Sequence, residues 1–207
     1  LADDPPDLDT AQTAMARAVE QARRASTVVG RLRRLVERPD LAGQAQPLAL
    51  PTAVQDVLHL LEPELAQRGV VPEVLAAADL PPVLAEPVAL QQIIHNLLMN
   101  ALQALEQVPP AERQLRLSMA RAKSGQVTLS VRDHGPGIPP EARQHLFEPF
   151  YTTRNGGLGL GLTLCESLAQ AMGAQLALAP EATNPSAAQR GAEFVLTLQA
   201  APPTDDR

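Results

Sequence analysis

Two glycine-rich segments in the second half of the chain constrain its fold more than any other feature. The first reads DHGPG at residues 133–137, and the second reads GLGLG at residues 157–161. Glycine allows a backbone to turn at positive φ and allows a ligand to approach the main-chain amides closely. The second segment runs directly into a predicted helix, and the amides at a helix N-terminus attract phosphate. The two segments together indicate a nucleotide site.

The composition of the chain excludes several classes of protein. Its 207 residues, 45% of them apolar, suffice for one domain with an appendage or for two small domains. The net charge of −6 argues against a nucleic-acid-binding surface, which needs clustered positive charge. The single cysteine, Cys165, excludes an internal disulfide and a cysteine-based zinc site, and it favours a reducing, cytoplasmic setting.

No membrane segment is visible in the sequence. No apolar run approaches the roughly 20 residues that a membrane-spanning helix needs, and no signal peptide is visible. We therefore expect no membrane contact within this chain. Because the chain begins with Leu1 rather than with Met, we expect a fragment of a longer protein, in which any membrane anchor would lie upstream.

Residues 1–39 are predicted to form one region, in which residues 1–9 read as a turn and a long helix of the coiled-coil kind follows from about Asp9. Its apolar residues alternate spacings of three and four: Met15, Ala18, Ala22, Ala25, Val29, Leu32 and Val36. Such a heptad seam needs an apolar partner, so we expect a homodimer through this helix. Pro39 ends the helix, because proline cannot continue one, and residues 40–47 read as a linker.

The rest of the chain, residues 48–199, predicts an α/β sandwich. Alternating apolar residues predict strands, and apolar residues at helical spacing predict helices. The predicted strands span residues 48–50, 70–76, 115–119, 127–131, 174–179 and 191–199. The predicted helices span residues 51–69 (kinked at Pro63), 87–107 and 160–172. Residues 181–189 read as a disordered loop, and residues 200–207 read as a loose tail.

Four polar residues stand where nucleotide chemistry needs them. Asn96 and Asn100 are four apart, so both amides project from one helix face. Amide oxygens are hard, neutral ligands that Mg²⁺ accepts beside water and phosphate oxygens. Asp133 ends a predicted strand, where its carboxylate could accept the amino protons of an adenine. Arg154, between the glycine segments, could add positive charge to a triphosphate.

The order of these segments resembles that of the sensor histidine kinases. The string QIIHNLLMNALQA at residues 92–104 resembles their N box, and DHGPG resembles their first glycine box. FEPF at residues 147–150 resembles the F box, and GLGLG resembles the second glycine box. A short lid, containing Thr152, Thr153 and Arg154, lies between them. The resemblance covers residues 48–199 and implies a Bergerat-type two-layer α/β sandwich of the GHKL superfamily, with a mixed sheet.

The resemblance also implies a set of site residues, with ATP and Mg²⁺ as cofactors. Asn100 would bind Mg²⁺, and Asn96 would help to hold metal and phosphate, which makes both catalytic. The other implied nucleotide-binding residues are Asp133, Gly135, Gly137, Ile138, Thr152, Thr153, Arg154, Gly157, Leu158, Gly159, Leu160, Gly161 and Leu162. Related ATP hydrolases carry glutamate where Asn96 stands. An amide cannot act as that base, so the site suits phosphoryl transfer rather than hydrolysis.

The N-terminal helix resembles the second helix of the kinase dimerisation domain. The first helix, which carries the phosphoacceptor histidine, is expected upstream, because none of the four histidines of this chain lies in an H box. The resemblance therefore implies transfer of the γ-phosphoryl group to a histidine outside this chain, for relay to the receiver domain of a response regulator. The chain would then be cytoplasmic, including as the cytoplasmic part of a membrane-anchored sensor.

Other interpretations stay open at the level of sequence. One is a non-catalytic nucleotide-binding module, and another is a gyrase-type ATPase or a serine-phosphorylating anti-sigma factor. Asn96 stands where a gyrase-type ATPase would have glutamate, which argues against that interpretation. The predicted heptad helix argues against an anti-sigma factor. The chain also departs from the family at Ala192, where a threonine hydroxyl is usual near the adenine acid, and at Glu86, which we expect to cap its helix.

We expect several remaining side chains to pack or to face solvent rather than to take part in chemistry. We expect His134 to face solvent, and His95 and Cys165 to be packing residues. We expect Phe147 and Phe150 to pack within the lid or the core rather than to touch a ligand.

Overall fold

The computed structural model of the chain describes residues 44–122, 124–153, 157–180 and 191–202, together with Gln12, Ala14, Met15 and Val19. The chain divides into two units, Leu1–Glu37 and Arg38–Arg207. In the first unit the four described residues are helical and exposed. The heptad seam as a whole and the predicted loop at 181–189 lie outside the described residues, so both stay predictions.

The second unit contains five α-helices, a short 3-10 helix (Pro110–Glu112) and seven strands within its described part. The helices are α1 (Leu50–Leu60), α2 (Glu62–Arg68), α3 (Pro87–Leu105), α4 (Pro140–Arg143) and α5 (Gly161–Ala171). The strands are β1 (Gln46–Leu48), β2 (Glu73–Ala76), β3 (Val83–Ala85), β4 (Leu115–Arg121), β5 (Val127–Asp133), β6 (Gln175–Leu178) and β7 (Ala192–Leu198). A five-stranded sheet has the order β2-β4-β5-β7-β6, and β1 pairs with β3.

The sheet is mixed, and the helices cover one of its faces. Strand β2 is parallel to β4, whereas β4, β5, β7 and β6 pair antiparallel. Strand β5 alternates buried and half-buried residues, as expected when one face of a sheet packs on a core. Helix α3 contacts β5, α5 contacts β6, and the two helices contact each other. The predicted two-layer α/β sandwich with a mixed sheet is therefore confirmed.

Helix α3 forms the floor of the site, and its sequence fixes both its start and its orientation. Pro87 occupies the first turn, where its missing N–H is harmless. The two carboxylate oxygens of Glu86 accept hydrogen bonds from the amides of Val88 (3.0 Å) and Ala89 (2.6 Å), which confirms the expected cap. One face of the helix is buried: Ala89, Leu90, Ile93, Ile94, Leu97, Leu98, Ala101, Leu102 and Leu105. Asn96 and Asn100 are left half-buried on the other face.

The structure differs from the predicted elements at the ends of the domain. The first strand is Gln46–Leu48 rather than 48–50, because α1 already begins at Leu50. The predicted kink at Pro63 is present as a break between α1 and α2. Strand β3 has three residues and follows two prolines, too short a pattern to predict. No helix of the described part of the chain is long and apolar enough to span a membrane.

The beginning of the predicted loose tail is paired rather than loose. Ala200 forms a β-bridge with Val83, and the amide of Ala201 donates a hydrogen bond to the carbonyl of Pro82 over 2.7 Å. The unpredicted strand β3 and the residue before it supply these partners, so the end of the domain extends past residue 199.

Candidate nucleotide-binding site

Asp133 occupies the last position of β5 and is almost completely buried. Its side chain is 4% exposed, and it is the one charged side chain classed as buried in the described part of the chain. Its Oδ1 accepts hydrogen bonds from the amides of Gly135 (2.8 Å) and Ala192 (3.4 Å). Two main-chain donors hold this carboxylate in one orientation, as a fixed hydrogen-bond acceptor.

Gly135 is required because its turn presses against helix α3. A Cβ at this position would lie 2.8 Å from Oδ1 of Asp133 and 3.0 Å from Cβ of Ala104. No side chain fits in that space without displacing the carboxylate or the helix. The first glycine segment therefore brings Asp133 directly onto the last turns of α3.

Gly137 and Gly191 allow the start of β7 to pass against the end of β5. Gly137 has φ 83° and Gly191 has φ 130°, both in the region that favours glycine. A Cβ on Gly191 would overlap the carbonyl oxygen of Asp133. Sequence reasoning did not assign Gly191 to the site. The sequence feature that could have identified Gly191 is its position at the start of the last strand, beside Ala192.

The amide of Asn96 has neighbours on two helices. Nε2 of Gln92, one turn earlier on α3, donates to Oδ1 of Asn96 over 3.2 Å. The side chain of Asn96 also lies near enough to the Cys165 thiol on α5 to lower its pKa. The Cys165 sulfur lies 4.0 Å from the carbonyl oxygen of Ile93. Burial raises the pKa of this thiol from 9.0 to about 12, and the Asn96 contact opposes that rise in part. Gln92 was not among the predicted site residues.

These contacts arrange the site along the axis of α3. Ala104 meets the first glycine segment, whereas Asn96 meets α5. Asn96 and Ala104 are eight positions apart, which corresponds to about 12 Å of helix, and Asn100 stands midway. Along α3, the amide pair therefore lies between the contact with the first glycine segment and the contact with α5.

The second glycine segment delivers an uncapped helix N-terminus to this site. Helix α5 begins at Gly161 after Leu160, and no side chain caps its first turn. The first amides of a helix lack partners within the helix and carry its positive dipole end, which suits phosphate. The hydroxyl of Thr163, in the first turn, is buried and has no hydrogen-bond partner among the described residues.

The lid is tied together at its base. The amide of Phe150 donates to the carbonyl of Gly159 over 3.1 Å. Phe150 has φ 66° and is 62% exposed, so of the two places expected for its side chain, the lid and the core, the core is excluded. Thr152, Thr153, Gly157 and Leu158 lie exposed in this loop. Arg154 lies outside the described residues, so its role stays a prediction.

His134, in the first glycine segment, and Ile138, which follows that segment, are both half-buried but differ in their contacts. Ile138 is half-buried, and its carbonyl accepts a hydrogen bond from Nε of Arg143 over 3.1 Å. His134 is half-buried, and its Nδ1 is buried without a partner in the described domain. The expectation that His134 faces solvent therefore fails for the Nδ1 side of its ring, which is buried.

The arrangement fits a nucleoside triphosphate. A buried acceptor ends β5, two half-buried amides lie on α3, and α5 has an uncapped N-terminus. An acceptor-only carboxylate selects an exocyclic amino group, whereas the helix terminus selects phosphate. Leu160 precedes α5 and is buried, and Leu162, in its first turn, is half-buried.

Comparison with known proteins agrees with this geometry. The family model of histidine kinase-, DNA gyrase B- and HSP90-like ATPases matches residues 85–202. The sensor histidine kinase TmoS of Ectopseudomonas mendocina is 33% identical over 171 residues, covering 82% of this chain and 17% of TmoS. The sensor protein FixL of Bradyrhizobium diazoefficiens is 31% identical over 196 residues, covering 95% of this chain and 37% of FixL.

Solved structures show the same fold. Full-length ShkA in complex with AMPPNP superposes with a TM-score of 0.75 and 26% identity, covering 97% of this chain and 41% of ShkA. The nucleotide-free catalytic domain of the histidine kinase ThkA has a TM-score of 0.62 and 22% identity, covering 75% of this chain and 95% of that domain.

The matches cover most of this chain but only a minor part of its curated relatives. It spans between 17% and 37% of the length of the curated relatives TmoS and FixL. The family match, in contrast, covers more than half of the chain and includes every element that builds the site from α3 onward. The chain belongs to the family of histidine kinase-, DNA gyrase B- and HSP90-like ATPases, and it carries an ATP-binding domain of the kind found in sensor histidine kinases.

Proposed function

We propose that this domain transfers the γ-phosphoryl group of Mg·ATP to a histidine on a separate acceptor helix. The observation that carries the proposal is the environment of Asn96. Its Oδ1 accepts a hydrogen bond from Gln92, and an amide has no basic site with which to take a proton from water. Hydrolases of this family place a glutamate at that position. A site without that base favours an acceptor that supplies its own nucleophile.

Different segments of the domain would bind different parts of ATP. Asp133 would accept the adenine amino protons, in an orientation supported by its hydrogen bonds from Gly135 and Ala192. The N-terminus of α5 would receive phosphate oxygens. The lid residues Thr152, Thr153, Arg154, Gly157 and Leu158 would close over the triphosphate.

Magnesium is part of the proposal. The half-buried amides of Asn96 and Asn100 fit a hard cation that keeps water and phosphate oxygens as its other ligands. Asn100 is the proposed ligand, and Asn96 supports metal and phosphate. When bound, the cation would neutralise charge on the phosphate groups.

The partners proposed for the whole protein come from its relatives. TmoS is named a sensor histidine kinase and FixL a sensor protein. By analogy, the acceptor histidine would pass the phosphoryl group to the receiver domain of a response regulator. The N-terminal heptad helix would form a homodimer, and the domain would work in the cytoplasm, where ATP is available. These relatives favour the kinase interpretation over the gyrase-type and non-catalytic ones.

Two substitutions test the site assignment. The purified chain is mixed with γ-labelled ATP, Mg²⁺ and a helical hairpin that carries an acceptor histidine. We expect Asn100→Ala and Asp133→Ala to reduce labelling of the hairpin by at least about a hundredfold, since each removes a group aimed at the nucleotide. Gln91→Ala, an exposed amide on the same helix, is the matched control. Full labelling by both site variants would refute the assignment.

A further inference from the structure

Side chains on the outer face of the sheet fasten the start of β7 to the end of β5. The carboxylate of Glu193 accepts a hydrogen bond from the hydroxyl of Ser130 and one from Nη1 of Arg132 over 3.3 Å. We call these three residues the outer clasp. Because an ionised carboxylate can only accept, both contacts have one possible direction.

The outer clasp and Asp133 lie on opposite faces of the same pair of strands. Strand β5 alternates buried and half-buried residues, and β7 does so from Glu193 onward. The buried residues face the helices, so the half-buried clasp lies on the other face. Arg132 pairs in register with Glu193, and the next pair along the ladder is Asp133 with Ala192. The clasp is therefore one step from the buried carboxylate.

The last pair of the ladder supplies one of the two main-chain hydrogen bonds that orient Asp133. The amide of Ala192 donates to Oδ1 of Asp133 over 3.4 Å, whereas the amide of Gly135 does so over 2.8 Å. A separation of 3.4 Å is longer than is usual for an N–H···O hydrogen bond, so a small further displacement of β7 would remove this contact. The orientation of the carboxylate therefore depends on how closely the ends of β5 and β7 approach each other.

Glu193 is the first residue of β7 whose side chain can bind β5 through hydrogen bonds. The strand begins at Ala192, directly after Gly191. Gly191 has no side chain, and the methyl group of Ala192 neither donates nor accepts. Side-chain hydrogen bonds to the end of β5 therefore begin with the carboxylate one residue further along the strand.

We propose that Glu193 is a positioning residue for the recognition of adenine. With its carboxylate fixed by Ser130 and Arg132, it keeps the Ala192 amide within reach of Asp133 and so keeps that carboxylate in one orientation. This inference rests on the proposed function, in which Asp133 accepts the adenine amino protons. Glu193 does not touch the nucleotide, because it acts from the opposite face of the sheet.

Matched substitutions separate positioning from the loss of an ion pair in general. Glu193→Leu removes the acceptor, whereas Glu193→Gln keeps an oxygen that can accept from Ser130 and Arg132. The control is Glu73→Leu, which breaks the 2.7 Å ion pair between Glu73 and Arg116. That pair stands in the same cross-strand row as the clasp, but on β2 and β4. The control therefore removes a comparable carboxylate without altering β7.

The first measurement is the preference for adenine over hypoxanthine. Calorimetry of the 207-residue chain yields the dissociation constants for ITP and ATP, and their ratio is the preference. A general loss of stability would weaken both nucleotides alike and leave the ratio unchanged. We expect Glu193→Leu to lower the ratio about fivefold, the effect of one ordinary hydrogen bond. Glu193→Gln and Glu73→Leu should keep it within about twofold of the wild type. An unchanged ratio in Glu193→Leu would overturn the inference.

The second measurement needs no nucleotide. Hydrogen–deuterium exchange of the Ala192 amide is followed by NMR. We expect Glu193→Leu to accelerate this exchange at least about fivefold, because the amide loses its acceptor, and Glu73→Leu to leave it unchanged. Ser130→Ala removes one donor to Glu193 and should accelerate the exchange in the same direction, but it should add nothing in a Glu193→Leu chain. Wild-type exchange in Glu193→Leu, or in Ser130→Ala where Glu193→Leu does not fold, would overturn the clasp.

Asp133→Ala separates failure of the clasp from failure of the proposed function. A preference that collapses in Asp133→Ala but keeps its wild-type value in Glu193→Leu would overturn the clasp alone. A wild-type preference that Asp133→Ala leaves unchanged would overturn both, because Asp133 would then not contact the base.

Discussion

The amide of Phe150 and the carbonyl of Gly159 join across 3.1 Å, which closes the lid into a loop with a fixed base. Both residues have positive φ, 66° for Phe150 and 63° for Gly159. Positive φ is unfavourable for an aromatic residue, so the hydrogen bond holds the backbone in a strained conformation. The two motifs that flank the lid therefore act as one structural unit.

Gly159→Ala should weaken ATP binding because it disrupts the hydrogen-bonded base of the lid. A Cβ at Gly159 would lie 2.5 Å from the carbonyl carbon of Phe150, so the lid must move away from its position. We expect the dissociation constant for ATP, measured by calorimetry, to rise about tenfold or more, since a clash with backbone costs more than 1 kcal/mol.

Gly173→Ala is the control for backbone strain alone. Gly173 has φ 69°, close to that of Gly159, and a Cβ there would meet nothing within 4 Å. It should lose about 1 kcal/mol of stability and keep its ATP affinity. Equal affinity losses in the two variants would show that strain, and not the contact with Phe150, is responsible.

Gly191→Ala should destabilise the whole domain. A Cβ at this position would overlap the carbonyl oxygen of Asp133, so β7 could not pair with the end of β5. We expect a loss of at least about 3 kcal/mol in the free energy of unfolding, measured by urea titration. Gly125→Ala, with φ 82° and open space around it, should lose about 1 kcal/mol. Similar values for both variants would contradict the close approach at Gly191.

Asp133→Asn should shift the preference of the site between purine bases. The amides of Gly135 and Ala192 would hold the Asn oxygen as they hold Oδ1 of Asp133, which leaves an NH₂ group for the ligand. Adenine presents an amino group at that position and hypoxanthine presents a carbonyl. We expect ATP affinity to fall and ITP affinity to rise, each by about tenfold, the effect of one hydrogen bond. A parallel loss for both nucleotides would argue against contact with the base.

The stability of the domain should depend on the Cys165 proton in alkaline solution. The thiol pKa is raised from 9.0 to about 12 in the folded domain, so folding favours the protonated form. The stabilisation is complete below pH 9 and is lost as the pH rises from 9 toward 12. Between pH 8 and 10.5 we expect the wild type to lose about 2 kcal/mol more than Cys165→Ser, which does not titrate there. Parallel pH profiles of the two proteins in urea titrations would show that the thiol is not desolvated as described.

Local patterns of sequence predicted those features of the domain that depend on nearby residues. The course of α3 follows from its apolar period, Pro87 and the Glu86 cap, all within a few residues. The turn at Gly135 follows from its neighbour Asp133. In both places the chemistry that sets the structure is visible in a short window of sequence.

Contacts between residues far apart in the sequence could not be predicted from these local patterns. Cys165 and Ile93 are 72 residues apart, and nothing in either helix pattern signals that the thiol meets Asn96. Gly191 is required only because Asp133 lies against it in space. Strand β3 forms because β1 and residues 200–201 pair with it from both sides, while its own three residues carry too weak a pattern.

The fate of the γ-phosphoryl group tests the central claim most directly. The chain is incubated with γ-labelled ATP, Mg²⁺ and the acceptor hairpin, and the label is partitioned between phosphohistidine and inorganic phosphate. The account predicts that the label appears on the histidine, that little phosphate forms without the hairpin, and that Asn96→Glu reverses this by supplying a base for water. Steady release of phosphate by the wild type without the hairpin, with no labelled histidine in its presence, would contradict it.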